Sequence, residues 1–211
     1  MTTINENPNN TESTFDDDAS FNSLNDESSF EDDVYPGWAR TSPLSREYFD
    51  HEWGQALYEE RELYELIALL GFQAGLNWSM VLNKRERLRE CFHNFEPDAV
   101  AAFTHDDIER LLKDKAMIRN QRKISAAITN ARATVELREH GGISAFVWAH
   151  DPNSAYACET VTELIERTPE ISELAAELKQ RGFTQIGPRL IAALMQAIGM
   201  VPAVRRQSNA A

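Results

Sequence analysis

The stretch LLGFQAGLNW, residues 69–78, ends an apolar run and then interrupts it with two glycines and a tryptophan. Upstream, Leu63, Leu66, Ile67 and Leu70 recur at i, i+3, i+4 and i+7, the spacing of one helical face, behind Glu59, Glu60, Arg61 and Glu62. Leu70 completes that stripe and therefore points inward. Past it, Gly75 and Leu76 make a loop suited to pushing backbone and one apolar side chain outward.

Helical punctuation continues on both sides. Thr104 opens HDDIERLL with Asp107 where a capping-box acid sits. Thr168-Pro169 opens EISELAAELKQ and Gly182 ends it; Gly187-Pro188 opens RLIAALMQAI and Gly199 ends it. Ile124, Ala127, Ile128 and Ala131 mark another helix. Strand flavour is confined to ISAFVW, residues 143–148. The expected fold class is all-α, built from many short helices.

The chain of 211 residues has a formal net charge of −13, which at first argues against a nucleic-acid partner. The distribution reverses that reading. Residues 1–33 hold ten carboxylates and no Lys or Arg, which leaves 24 acidic against 21 basic residues beyond them. The body is nearly neutral, so a local basic patch remains able to meet phosphates. Residues 1–34 are poor in apolar side chains and are expected to be a disordered acidic tail, with one helical domain over 35–211. No signal-peptide pattern or bilayer-length apolar run is visible, and Cys91 and Cys158 form no CxxC pair. A reduced, cytoplasmic setting is expected.

Two segments suggest chemistry. LLKDKAMIRNQRKI, residues 111–124, reads as two helices joined by a tight connection, with Lys115, Arg119, Arg122 and Lys123 nearby. Such a hairpin can aim backbone N–H groups and a helix N-terminus at a phosphate; from spacing alone the better reading is an ordinary connection with a solvated basic face. A second basic run holds Lys84, Arg85, Arg87 and Arg89. Trp38, Tyr48, Trp53 and Trp78 supply flat rings on which an extruded base stacks, though such rings most often serve as core.

PGWARTSPLSREYFDHEWG, GFQAGLNWSMVLNKRERLRECFHNFEPDAVAAF, IRNQRKISAAITNARA and RGFTQIGPRLIAALMQAIGMV follow one another in that order. Together they closely resemble the bacterial DNA-3-methyladenine glycosylase I family over about residues 36 to 202. The resemblance implies a helix-hairpin-helix glycosylase fold and excision of 3-methyladenine from alkylated double-stranded DNA, in base-excision repair. Such an enzyme extrudes its target nucleotide into a pocket. By resemblance Trp38, Tyr48 and Trp78 hold the base, Gly75 and Leu76 wedge into the duplex, and Trp53 packs. Phosphate contacts are expected from Lys84, Arg85, Lys115, Arg119 and Lys123. A monomer without membrane partners is expected.

Three positions depart from the family pattern. The base-reading glutamate before the G-x-Q-A-G-L loop is Leu70, which removes an acceptor for the base's amino group. Glu65 does not replace it, because five residues turn it about 140° off that face. The positions of the family's two cysteine and two histidine zinc ligands fall on Pro36, Phe49, Val204 and Ser208, so no structural zinc and no cofactor are expected. The hairpin glycine is Ala116, a strained choice if φ there is positive. Two functions stay open: a glycosylase, with its base specificity kept or altered, or a catalytically weak relative that binds alkylated or distorted DNA.

Overall fold

The computed structural model describes residues 35–153 and 157–204, and every regular element among them is helical. The acidic tail lies outside the described residues. Eleven α-helices are described: α1 Pro43–His51, α2 Glu60–Gln73, α3 Trp78–Leu82, α4 Arg85–Cys91, α5 Pro97–Ala101, α6 His105–Lys113, α7 Gln121–Glu136, α8 Gly142–Trp148, α9 Val161–Arg167, α10 Pro169–Gln180 and α11 Pro188–Ala197. Short 3-10 turns at Ala39–Thr41, His93–Phe95 and Leu137–His140 punctuate the order.

Helix starts follow local chemistry. The Ser42 hydroxyl accepts from the Ser45 N–H at 3.1 Å, and the Asn77 side-chain Oδ1 accepts from the Met80 N–H at 2.9 Å. The Asp107 carboxylate accepts from the Thr104 backbone N–H at 3.0 Å and from its hydroxyl at 3.1 Å. Pro169 and Pro188 sit in the first turns of α10 and α11, where a missing N–H costs nothing. ISAFVW falls in helix α8: Ile143 and Val147, four residues apart, are both buried on one face.

Helix α2 is the central element. The stripe expected from Leu63 to Leu70 understates it, since every residue from 63 to 70 is buried. A helix covered on all sides needs neighbours all round, and α3, α7, α8 and α11 supply them. The Tyr64 hydroxyl donates to the Ala127 carbonyl of α7 at 2.9 Å, so even this ring's polar end is satisfied inside the core. Helix α7 in turn packs on α5 and α6.

One backbone contact ties an early segment to a late one. The Gly54 N–H donates to the Ala197 carbonyl at 2.7 Å. Gly199, at φ +72°, lies so close that a Cβ there would collide with the Gly54 carbonyl. Only glycine meets both demands. No described helix is long and apolar enough to cross a membrane.

Candidate nucleic-acid interface

Trp38, Tyr48 and Trp78 arrive from three elements: the turn entering Ala39–Thr41, helix α1 and the first position of α3. They meet. Tyr48 stands between the indoles, its ring centroid 6.0 Å from Trp38 and 5.3 Å from Trp78. Trp53 joins them, 4.9 Å from Trp38 and 6.2 Å from Tyr48. At 5.3 Å Tyr48 and Trp78 leave no room for a purine between them. A base must stack on an outer face or part the two rings.

This cluster is closed and short of acceptors. Trp38 and Trp78 are 7 % and 4 % exposed, and the Nε1 of each is buried without a hydrogen-bond partner. A buried donor left unpaired costs about 1–3 kcal/mol. Burial first, and the Glu52 carboxylate second, hold the Tyr48 phenol well above its ordinary pKa, so it stays protonated. Leu70 is 5 % exposed on α2, the helix that packs against α3 and hence against the segment carrying Trp78.

Beside the rings lies an ion cluster that no local pattern announces. Glu65 on α2 is only 3 % exposed. One of its oxygens accepts from Arg85 Nε at 2.9 Å and Arg89 Nε at 2.8 Å, and the other from Arg61 Nη1 at 3.1 Å. Arg85 also donates to the Glu52 carboxylate at 2.7 Å, and its guanidinium carbon lies 5.9 Å from the Tyr48 ring centroid. Burial alone would lower the Arg85 pKa; the bonds to Glu52 and Glu65 outweigh it and hold the charge. Arg85 therefore links the C-terminus of α1, which carries Tyr48, to α2, which carries Leu70.

The expected phosphate contacts divide into two sets. Lys115 and Arg119 are exposed on the connection between α6 and α7. The other three are engaged within the protein. Lys84 Nζ donates to the Ala116 carbonyl at 2.7 Å, and Arg85 is held as described. Lys123 Nζ donates to the carbonyls of Phe72, at 2.8 Å, and Ala74. It thereby satisfies carbonyls left open at the end of α2. That clip fixes the take-off of the loop holding Gly75, at φ +76°, and Leu76, which is half-buried against the core. Ala116 carries no strain: positive φ outside glycine falls at His93, Asn94, Phe95, Asn153 and Gln185 among the described residues. Asp114 accepts from the Ala116 N–H at 2.8 Å and steadies the turn instead.

The residues do not fit the zinc ion that the resemblance implies. The side chains of Pro36, Phe49 and Val204 offer no metal-ligating atom, and Ser208 lies outside the described residues. Among the described residues no group of three or more His, Cys, Asp or Glu side chains is placed to hold a metal. Phe49 instead packs among rings, 5.4 Å from Tyr35 and 5.8 Å from Trp38, and the Val204 N–H donates to Gln196 Oε1 at 3.0 Å.

The methyladenine glycosylase family model matches residues 38–209. The chain belongs to this family. DNA-3-methyladenine glycosylase 1 of Escherichia coli is 41% identical to it over 169 residues, covering 78% of this chain and 90% of that protein. The DNA-3-methyladenine glycosylase of Haemophilus influenzae is 36% identical over 168 residues, with the same two coverages, 78% and 90%. Among solved structures, a 3-methyladenine DNA glycosylase I superposes with a TM-score of 0.73 at 39% identity, over 79% of this chain and 93% of that one. A variant solved in complex with 3-methyladenine superposes at 0.71 with 30% identity, over 78% and 90%. Trp38, Tyr48 and Trp78 all lie within the residues that the methyladenine glycosylase family model matches.

Proposed function

We propose that this chain is a DNA glycosylase that excises 3-methyladenine from alkylated double-stranded DNA in base-excision repair. One observation carries the reading: three rings separated in sequence converge in a buried cluster in a chain of this family. The extruded base stacks on Trp78 and Trp38, with Tyr48 beside it. Stacking on electron-rich rings favours the cationic methylated base over neutral adenine. Water then adds to C1′ and loses a proton, while the base leaves with the glycosidic electron pair and is thereby neutralised. The charged leaving group lowers the demand on protein groups, consistent with the apolar side chain at Leu70.

Gly75 and Leu76 fill the gap left in the duplex, on a loop held by the Lys123 clip. Lys115 and Arg119 meet phosphates; Lys84 shapes the connection that carries them, and Arg85 and Lys123 contribute through the fold. The enzyme acts as a cytoplasmic monomer, with residues 1–34 as an acidic tail ahead of the domain. A second reading is favoured by Leu70 alone: a relative that binds alkylated DNA without turnover. Incubation with methylated DNA separates the two. Release of 3-methyladenine in excess over 7-methylguanine is expected; saturable binding with no released base would establish the second reading.

A further inference from the structure

Tyr48 and Trp78 ride on two segments that one ion pair joins. Glu52 lies one helical turn past Tyr48, whose carbonyl accepts from the Glu52 N–H at 2.9 Å and from the Trp53 N–H at 3.0 Å. Glu52 therefore moves with the Tyr48 backbone. On the other side, only Asn83 and Lys84 separate α3, which begins at Trp78, from α4, which begins at Arg85. Their N–H groups bond back to the carbonyls of Ser79 at 2.9 Å and Val81 at 3.0 Å, so Trp78 and Arg85 belong to one hydrogen-bonded segment. Arg85 Nη1 donates to both Glu52 oxygens at 2.7 Å and closes the link. It ties together the two segments whose rings stand 5.3 Å apart.

The two ends of Arg85 do different work. Its Nε meets Glu65, a buried carboxylate shared with Arg61 and Arg89, so that end belongs to the folded core. The Glu52 side chain is 45 % exposed. An ion pair open to water adds little to stability, because solvent screens it. A charge-assisted bond between two anchored segments still fixes their spacing, and a reacting group misplaced by about 1 Å costs up to about 100-fold in rate. The carboxylate also reaches the ring itself: after burial, Glu52 is the next cause that raises the Tyr48 pKa and keeps the hydroxyl neutral.

We infer that Glu52 is a positioning residue of the base slot: through Arg85 it holds the Tyr48 ring against the segment that carries Trp78. The inference rests on the glycosylase reading for the activity that reports it, and on the Glu52–Arg85 bond for its geometry.

Three variants of the full chain test it on methylated DNA. Glu62→Ala is the control, since Glu62 pairs with Arg61 at 3.4 Å in the first turn of α2 and is as exposed, at 42 %. Both Glu52→Ala and Glu62→Ala should lower the thermal midpoint by about 4 °C or less. Glu52→Ala should slow release of 3-methyladenine about tenfold, whereas Glu62→Ala keeps the wild-type rate. Glu52→Gln retains a carbonyl acceptor for Arg85 Nη1 and should keep most of the rate. Wild-type release from Glu52→Ala, equal slowing in Glu52→Ala and Glu62→Ala, or a Glu52→Gln as slow as Glu52→Ala overturns the inference and leaves the glycosylase reading intact. A midpoint lowered by more than about 10 °C in Glu52→Ala does the same, by making Glu52 a stability residue. A wild type that releases no base sinks the glycosylase reading instead.

The geometry is also measurable without turnover. With nitrogen-15 in the indoles, the Trp78 N–H resonance reports the Tyr48 ring beside it through the ring current. Glu52→Ala should move that resonance and Glu62→Ala should not. A Trp78 resonance unmoved in Glu52→Ala, or moved equally in both, overturns the inference whatever the activity.

Discussion

Helix α2 carries two buried positions five residues apart that solve opposite problems. At Glu65 a carboxylate is kept in the interior and surrounded by Arg61, Arg85 and Arg89. At Leu70, where the family resemblance leads one to expect a carboxylate, the side chain is buried hydrocarbon, and in the aromatic cluster two indole N–H groups go without partners. A buried charge persists where the fold itself supplies every counter-charge. Where the partner is a transient ligand, the charge is costly in its absence. On that expectation the same helix separates a structural carboxylate at Glu65 from the place of a ligand-dependent one, which leucine occupies here.

The sharpest way to break that contrast is to remove the structural charge. Glu65→Ala leaves three guanidinium groups facing one another. It should destabilise the fold by about 3–5 kcal/mol, the usual cost of orphaning a buried ionic partner. Chemical denaturation measures it, and a midpoint near wild type would mean that solvent already screens the cluster. On the ligand side, Trp78→Ala should cost roughly 1–3 kcal/mol of base stacking, read as slower base release with little loss of stability beyond that of a large-to-small change.

Salt titration sharpens the division among the basic side chains. Lys115→Ala and Arg119→Ala should each reduce the slope of log affinity against log salt by about 0.9, as expected for one phosphate contact apiece. Lys123→Ala should leave the slope unchanged and instead loosen the loop after α2, since its ammonium already serves the carbonyls of Phe72 and Ala74.

The smallest effect is on acid stability. Asp114 is held below its ordinary pKa of 3.8 by the Ala116 backbone N–H and then by Arg87, and Asp107 below the same value chiefly by the Thr104 backbone N–H. Depressed carboxylate pKa values stabilise the folded chain above the unfolded value, and that gain is lost as pH falls through the folded value. Stability should therefore decline below about pH 3.8, less steeply in Asp114→Asn. An unaltered acid limb would assign the decline to other carboxylates.

Legibility from sequence followed the range of the interactions. Capping at Thr104 and Asp107 and the prolines opening α10 and α11 act within one turn, and residue order alone discloses them. The helical state of ISAFVW was harder, because its β-branched and aromatic residues suit either state and burial against α2 and α7 decides. The aromatic cluster was visible through family resemblance, not through spacing. Glu65 with Arg85 and Arg89 pairs residues 20 and 24 positions apart, and Lys123 reaches Phe72 across 51. Arg85 and Lys123 are expected on DNA because nothing local tells a solvated cation from one already committed.

The meeting of Gly54 with Ala197 and Gly199 also bears on how the chain is made. Its early partner leaves the ribosome long before the late one has been synthesised. The rings of Trp38 and Tyr48, which flank that early segment, cannot be locked in place until almost the entire polypeptide has emerged. Nascent chains truncated before α11 should therefore accumulate as substrates for chaperones rather than as premature DNA binders, so competence for repair arrives only with the finished molecule.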